Sequence, residues 1–307
     1  MDALEIVGLG KRFGKLKAVD QLCLNVPEGS VYGFLGPNGA GKTTTIKMIT
    51  GLSDITEGCV KICGKEVTFG SSIGRENIGY LPDVPNYYSW MKPTEFLSFC
   101  GELYRIEKKL LKSRIEELLN LVGLSDANRK IGGFSRGMKQ RLGIAQALIN
   151  NPSLVLLDEP ASALDPIGRK DVMDIISKLA GKTTVFFSTH ILADVERVCD
   201  RIAIIHKGKL VTNNTMEELR KNYSLKELQI ELLKANTTVS FTEKLKNLPW
   251  VTEIKESHDH IVRIAVKDMD EAAVRIPEVL SELHAGLTSM KVVEPTLEEI
   301  FMEVVGQ

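Results

Sequence analysis

The stretch Gly36-Pro37-Asn38-Gly39-Ala40-Gly41-Lys42-Thr43-Thr44 carries the residue types needed to hold a chain of phosphates. Its glycines let the backbone curl until several N–H groups face one anion, and a helix opening at its end adds the positive end of a dipole. Lys42 supplies a cation for the outer phosphates, and the Thr43 hydroxyl is a hard oxygen ligand suited to Mg2+. A second group lies at 154–160, where the apolar run Leu-Val-Leu-Leu delivers Asp158, Glu159 and Pro160. Asp158 can hold the metal, directly or through water, and Glu159 can polarise an attacking water as general base. Alone, such an acid pair can be an ordinary strand end. Beside a phosphate loop it points to a nucleoside-triphosphate site.

Both groups need elements that deliver them. The run VYGFL reads as a buried strand entering the loop, and GKTTTIKMITGL reads as the helix leaving it, closed at Gly51. LVLLD and TTVFFST are further short apolar runs of the kind found in parallel sheets covered on both faces. The segment from Pro93 to about Gly123 is expected to be helical, with Leu111, Ile115, Leu118, Leu119 and Val122 on one side. A further helix is expected from about Arg136 to Asn150. Strands alternating with helices define an α/β chain.

The 307 residues suit two domains, and the character of the sequence changes near residue 220. Residues 1–220 hold every phosphate-directed motif. Residues 221–307 read as four short strands (ELQIELL, WVTEIKES, HIVRIAV, TSMKVV) enclosing two helical stretches and closing in a helix at PTLEEIFMEVV. This smaller α+β domain assembles no catalytic set. His258 and His260 flank Asp259 where a hairpin turn is expected. Leu297 and Phe301 would share one face of the last helix, against the domain core or a second copy.

Composition removes other classes. With 39 basic and 40 acidic residues the net charge is -1, which offers little to nucleic-acid backbones. No run reaches the roughly 18–20 apolar residues of a membrane span, and the first residues lack the basic end and apolar run of a signal peptide. A cytoplasmic location is expected, with any membrane contact made through a partner. The five scattered cysteines do not form a disulfide framework, and Cys59 and Cys63 lie in a strand-like run without a second ligand pair.

A third motif, Phe134-Ser135-Arg136-Gly137-Met138-Lys139-Gln140-Arg141, precedes Asp158 and opens a helix. It resembles the signature of the ATP-binding cassette (ABC) family, usually Leu-Ser-Gly-Gly-Gln. Ser162-Ala-Leu-Asp165, His190 at the end of TTVFFSTH, and the aromatic Phe13 stand at the other family positions. The resemblance covers residues 1 to about 220. It implies a P-loop NTPase cassette with a RecA-like core, an antiparallel β subdomain and a helical subdomain, binding ATP and Mg2+. It also implies a head-to-tail pair in which Ser135 and Gly137 of one chain face the γ-phosphate bound by the other. His190 would contact that phosphate and Asp165 would link the two sites. Phe13 would stack on adenine, with core packing as its alternative. Asp83 takes the place of the family's usual Gln and is a further candidate metal ligand, although a carboxylate cannot donate a hydrogen bond as an amide can. Arg136 and Met138 replace the signature's Gly and Gln.

The segment ending Glu294-Pro-Thr-Leu-Glu-Glu-Ile-Phe301 is similar to the C-terminal part of drug-resistance and multidrug-type exporter ATPases. That resemblance implies a separately encoded transmembrane permease, a second ATPase protomer (identical or a paralogue), and a position at the inner face of the membrane. Permease helices would dock near Asp83 and a helical segment from Tyr87 to about Tyr104. The competing class, a soluble ABC ATPase of translation or DNA maintenance, usually has two cassettes or a long coiled coil, and neither is present.

Overall fold

The computed structural model describes residues 2–70, 75–222, 227–293 and 296–306. It divides into two compact units, Met1–Met216 and Glu217–Gln307. The first opens with a hairpin of β1 (Asp2–Phe13) and β2 (Leu16–Pro27). β3 (Val31–Leu35) runs into α1 (Lys42–Ile49), and β4 (Glu57–Ile62) and β5 (Lys65–Glu66) return to the hairpin. These outer strands form an antiparallel sheet of order β2-β1-β4-β5. Alternate side chains such as Leu4, Ile6, Leu22 and Leu24 are buried, as the period of two in a half-covered sheet requires.

Next come β6 (Ile78–Leu81), α2 (Pro93–Leu103), α3 (Lys108–Leu121), α4 (Arg136–Ala147) and β7 (Leu154–Asp158). The unit is completed by α5 (Pro166–Leu179), β8 (Thr184–Thr189), α6 (Leu192–Val198), β9 (Arg201–His206) and β10 (Lys209–Thr215). The central sheet has the order β10-β9-β3-β8-β7-β6, parallel except for β10. Every residue of β3, β7 and β8 is buried. Each large apolar side chain placed there contributes about 1.5–3 kcal/mol relative to exposure. Helix α4 presses closely on β6, since a Cβ on Gly79 would lie 1.9 Å from the Ala147 carbonyl oxygen. Only glycine permits that approach.

The helical segment expected from Pro93 to about Gly123 consists of two helices. They part around Arg105, which has the left-handed φ of 58° that ends a helix. Leu111, Ile115, Leu118, Leu119 and Val122 are buried as the spacing predicted. The segment expected to be helical from Tyr87 instead begins as loop, and its helix starts at Pro93. There the Tyr87 hydroxyl donates to the Lys139 carbonyl oxygen at 2.6 Å, pinning the loop to α4.

α7 (Met216–Asn222) spans the division between the units. The second unit contains β11 (Glu227–Leu232), α8 (Thr238–Lys246), β12 (Val251–His258), β13 (Ile261–Val266), α9 (Met269–Glu282), β14 (Leu287–Val293) and α10 (Leu297–Gly306). Its antiparallel sheet has the order β12-β13-β11-β14, so two βαβ halves interleave as in the ferredoxin-like motif. Its core gathers Ile230, Phe241, Leu245, Trp250, Ile264 and Ile276. Asp259, at φ 48°, makes the turn between β12 and β13. Leu297 is buried and Phe301 half-buried. Glu294 and Pro295 of the closing motif lie outside the described residues.

Candidate nucleotide site

The parallel strands β3, β7 and β8 end in register, with Leu35 beside Thr189 and Asp158 beside Ser188. Loops leaving these carboxyl ends meet in a crevice, the usual ligand position in such sheets. The first loop starts at Gly36, whose N–H donates to the Thr189 carbonyl oxygen at 3.3 Å. A Cβ there would lie 2.4 Å from the Ile205 carbonyl oxygen, so the turn requires glycine. Gly41, at φ 109°, caps α1, and the first turn of that helix carries no acidic residue to repel an anion. Ala40 is buried, and its carbonyl accepts from the Gly208 N–H at 2.9 Å, which fixes the loop against the β9–β10 turn.

Lys42 is 5% exposed and curls back over this loop. Its Nζ donates to the carbonyl oxygens of Gly36 at 2.7 Å and Pro37 at 3.3 Å. It also pairs with Glu159 Oε1 at 3.2 Å. The other Glu159 oxygen meets His190 Nδ1 at 2.9 Å. Glu159 holds a left-handed backbone, φ 50°, uncommon for a non-glycine residue and costly unless its surroundings fix it. Here the Glu159 N–H donates to both Ser188 Oγ at 3.0 Å and the Ser188 carbonyl oxygen at 3.2 Å.

Asp158 lies behind Glu159 and accepts from Ser188 Oγ at 2.6 Å and Thr43 Oγ1 at 3.2 Å. Burial pushes its carboxyl above the ordinary range, against the pull of those two hydroxyls, and the charges of Glu159 and Asp83 push the same way. The nearby Tyr80 hydroxyl is raised to about 12, first by burial and then by Asp158 and Asp83. Asp83 accepts from Ser162 Oγ at 2.8 Å, and its backbone carbonyl accepts from the buried Gln140 amide at 2.9 Å.

A cleft of about 700 Å³ brings together Phe13, Asn38, Gly39, Gly41, Lys42, Thr43, Thr44, Asp83, Glu159 and His190. Phe13 is 55% exposed at its edge, so its ring is no part of the core. Ser135, Gly137 and Asp165 do not line this cleft. Ser135 caps α4 by accepting from the Met138 N–H at 3.2 Å, and Asp165 caps α5 by accepting from the Gly168 N–H at 3.3 Å. Both are exposed. Ser188 was not singled out in the sequence, and Ser162 and Gln140 stand there only inside motifs, with no role of their own. The one signal for Ser188 is its place in TTVFFSTH, two residues before His190.

The residues present fit a magnesium-bound triphosphate. Gly39 opens onto empty space, with nothing within 4 Å of a Cβ placed on it, and Lys42 lies at hand for phosphate oxygens. Thr43, Asp158 and Asp83 offer only hard oxygen donors, the set that suits Mg2+. Among the described residues no cluster of three or more His, Cys, Asp or Glu could hold a metal alone, so phosphate and water oxygens must complete its shell.

Fold and cleft together define a P-loop nucleoside triphosphatase with an added α+β unit. Residues 19–162 match the ABC transporter family, and 215–305 match the C-terminal domain of ATP-binding protein DrrA1-3-like chains. The chain is 38% identical to the uncharacterized ABC transporter ATP-binding protein YxlF of Bacillus subtilis, over 98% of this chain and 99% of that one. It is 35% identical to the bacitracin transport ATP-binding protein BcrA of Bacillus licheniformis, over 99% and 97% respectively. A solved ATP-binding subunit of an ABC transporter superposes with TM-score 0.65 and 30% identity, covering 72% of this chain and 93% of that one. A dimeric cassette bound to ADP and Pi superposes with TM-score 0.62 and 26% identity, covering 69% and 98%. The chain belongs to the ABC transporter ATP-binding proteins. It is an ATPase whose hydrolysis of ATP is coupled to transport. Among the described residues no helix is long and apolar enough to cross a membrane.

Proposed function

We propose that this chain powers an exporter of antibiotic-like compounds through a separately encoded membrane permease, working at the inner face of the membrane as one of two cassettes. The similarity to bacitracin transport ATP-binding proteins over nearly the whole chain supports the cargo class. The observation that carries the chemical reading is the chain Lys42–Glu159–His190, closed at 3.2 and 2.9 Å across the mouth of the phosphate loop.

When phosphates arrive, Lys42 exchanges Glu159 and the loop carbonyls for their oxygens. Glu159 is then released to accept a proton from the attacking water, whose oxygen bonds to the γ-phosphorus as the bond to the β–γ bridging oxygen breaks. The doubled hydrogen bond from the Glu159 N–H to Ser188 holds that base in place. His190 orients the Glu159 carboxylate from the other side. Thr43, Asp158 and Asp83 would hold Mg2+, which would supply positive charge against the phosphates.

Ser135 and Asp165 are exposed, Gly137 is half-buried, and none of the three lines the cleft, which supports their facing a second cassette. A helix N-terminus capped by Ser135 suits the γ-phosphate of that partner. In Glu159→Gln protein, ATP is expected to promote a dimer that Ser135→Arg prevents. Equal ATP-induced dimerisation by light scattering, with and without Ser135→Arg, contradicts this pairing.

The second unit is assigned a role in assembly. A chain ending at Asn222 keeps every nucleotide-binding residue, so it is expected to bind ATP but to lose dimer stability and permease-coupled transport. Undiminished transport by the shortened chain counts against that role.

A further inference from the structure

Lys11 is 5% exposed, an unusual position for a lysine in a strand of the outer sheet. Its Nζ donates to the Asp54 carboxylate at 2.7 Å and to the Asp54 carbonyl oxygen at 3.0 Å. The contact also holds the Asp54 carboxyl below its ordinary value. Two residues along β1, on the same side of the strand, stands Phe13, and the Lys11 ammonium lies 5.0 Å from the centre of its ring. Phe13 lines the nucleotide cleft and Lys11 does not. The cation therefore supports the ring from the protein side and leaves the cleft side open.

We propose that Lys11, anchored by Asp54, is a positioning residue for base recognition that prepares the exposed Phe13 ring to stack on the purine. The inference rests on the reading that Phe13 meets adenine. Two physical effects carry it. A cation behind an aromatic ring draws π density away from the open face, which then accepts an electron-rich purine more readily. An exposed ring already held on one side also loses less rotamer freedom when its ligand arrives. The triphosphate contacts lie elsewhere on the loop, so the effect belongs to the base and not to the phosphates.

Calorimetry on the full chain with ADP and with inorganic pyrophosphate separates these contributions, since neither ligand is hydrolysed here. Phe13→Ala is expected to weaken ADP about tenfold or more, the usual loss of a base–aromatic stack. Lys11→Met should weaken ADP about three- to fivefold, with Lys11→Arg restoring it. Pyrophosphate affinity should hold in all three. Wild-type ADP affinity in Lys11→Met beside a weakened Phe13→Ala overturns the role of Lys11 and leaves the stacking reading standing. An equal loss of ADP and pyrophosphate in Lys11→Met makes it a structural lysine and also overturns the proposal. Unchanged ADP affinity in Phe13→Ala defeats the stacking reading and the inference with it. Should Lys11→Met not fold, Asp54→Ala removes the carboxylate and leaves the ammonium only the residue-54 carbonyl oxygen, and wild-type ADP affinity there overturns the anchoring by the carboxylate.

Discussion

At the cleft, Asp83, Asp158 and Glu159 surround an inner wall whose buried cation is Lys42. On the sheet of the second unit, the buried Glu227 is instead enclosed by Lys255 and by Arg263 at 2.8 Å, and Arg263 reaches Glu299 of α10 at 3.0 Å. Two carboxylates and two cations close on one another there as ion pairs. At the cleft, Lys17, Lys42 and Lys207 share the lining with Asp83 and Glu159, but burial and the crowding of these two acids still raise the Asp158 carboxyl, so that spot is open to a bound cation. Buried charge of the first kind holds strands and a helix together. Buried charge of the second kind marks a place where something binds.

The contrast is broken most strongly at the cleft. Glu159→Gln should lower phosphate release by about 10²–10⁴-fold while ADP still binds, the range expected for loss of a general base. Lys42→Ala should abolish release and weaken nucleotide binding, with the fold retained in circular dichroism. Wild-type turnover in either variant removes the chemical reading. In the second unit the same kind of change should act on stability alone. Glu227→Gln leaves Lys255 and Arg263 without their shared partner and should cost about 3 kcal/mol in denaturant unfolding, with calorimetric ADP affinity unchanged.

Two smaller effects sharpen the distinction. Ser162→Ala removes the hydroxyl that holds Asp83 and should cost about 1 kcal/mol of stability, without changing affinity for magnesium-free ADP. Asp158→Asn should do the reverse of an ordinary core change. Burial raises this carboxyl above 3.8, so the folded chain keeps its proton to higher pH than the unfolded chain does. Its contribution to stability is therefore lost as pH rises from 3.8 through the raised value. At neutral pH the uncharged amide should raise the melting temperature of the ligand-free protein and weaken magnesium-dependent nucleotide binding. A lower melting temperature would show that the two accepted hydroxyl bonds outweigh burial.

Residues contiguous in sequence were legible as a site. Gly36 to Thr44 and Asp158–Glu159 carry their chemistry in their own order, because a strand, a loop and a helix follow one another there. Ser188 was not legible, since its contacts with Asp158 and Glu159 arise from the register of β7 against β8. Ser162 on Asp83, 79 residues apart, is hidden for the same reason. Lys11 and Phe13 are neighbours on one strand, and what stays hidden there is the contact with Asp54, 43 residues away, that anchors the ammonium. The helical character after Pro93 was legible from apolar spacing, whereas the break at Arg105 was not, because it is a matter of backbone sign. In the second unit, strand count and helix count were readable. The order β12-β13-β11-β14 was not, because crossing connections leave no local pattern.

One strand has a mechanical consequence. Ser188, Thr189 and His190 follow one another at the end of β8, and they hold Asp158 with Glu159, the start of the phosphate loop, and the outer oxygen of Glu159 respectively. A slide or tilt of β8 would carry all three contacts at once, like teeth cut on a single bar. Glu159, Asp158 and the loop entrance therefore keep step with each other. Relative movement in the site is left to what is mounted elsewhere, above all Asp83, whose carbonyl hangs from Gln140 on α4.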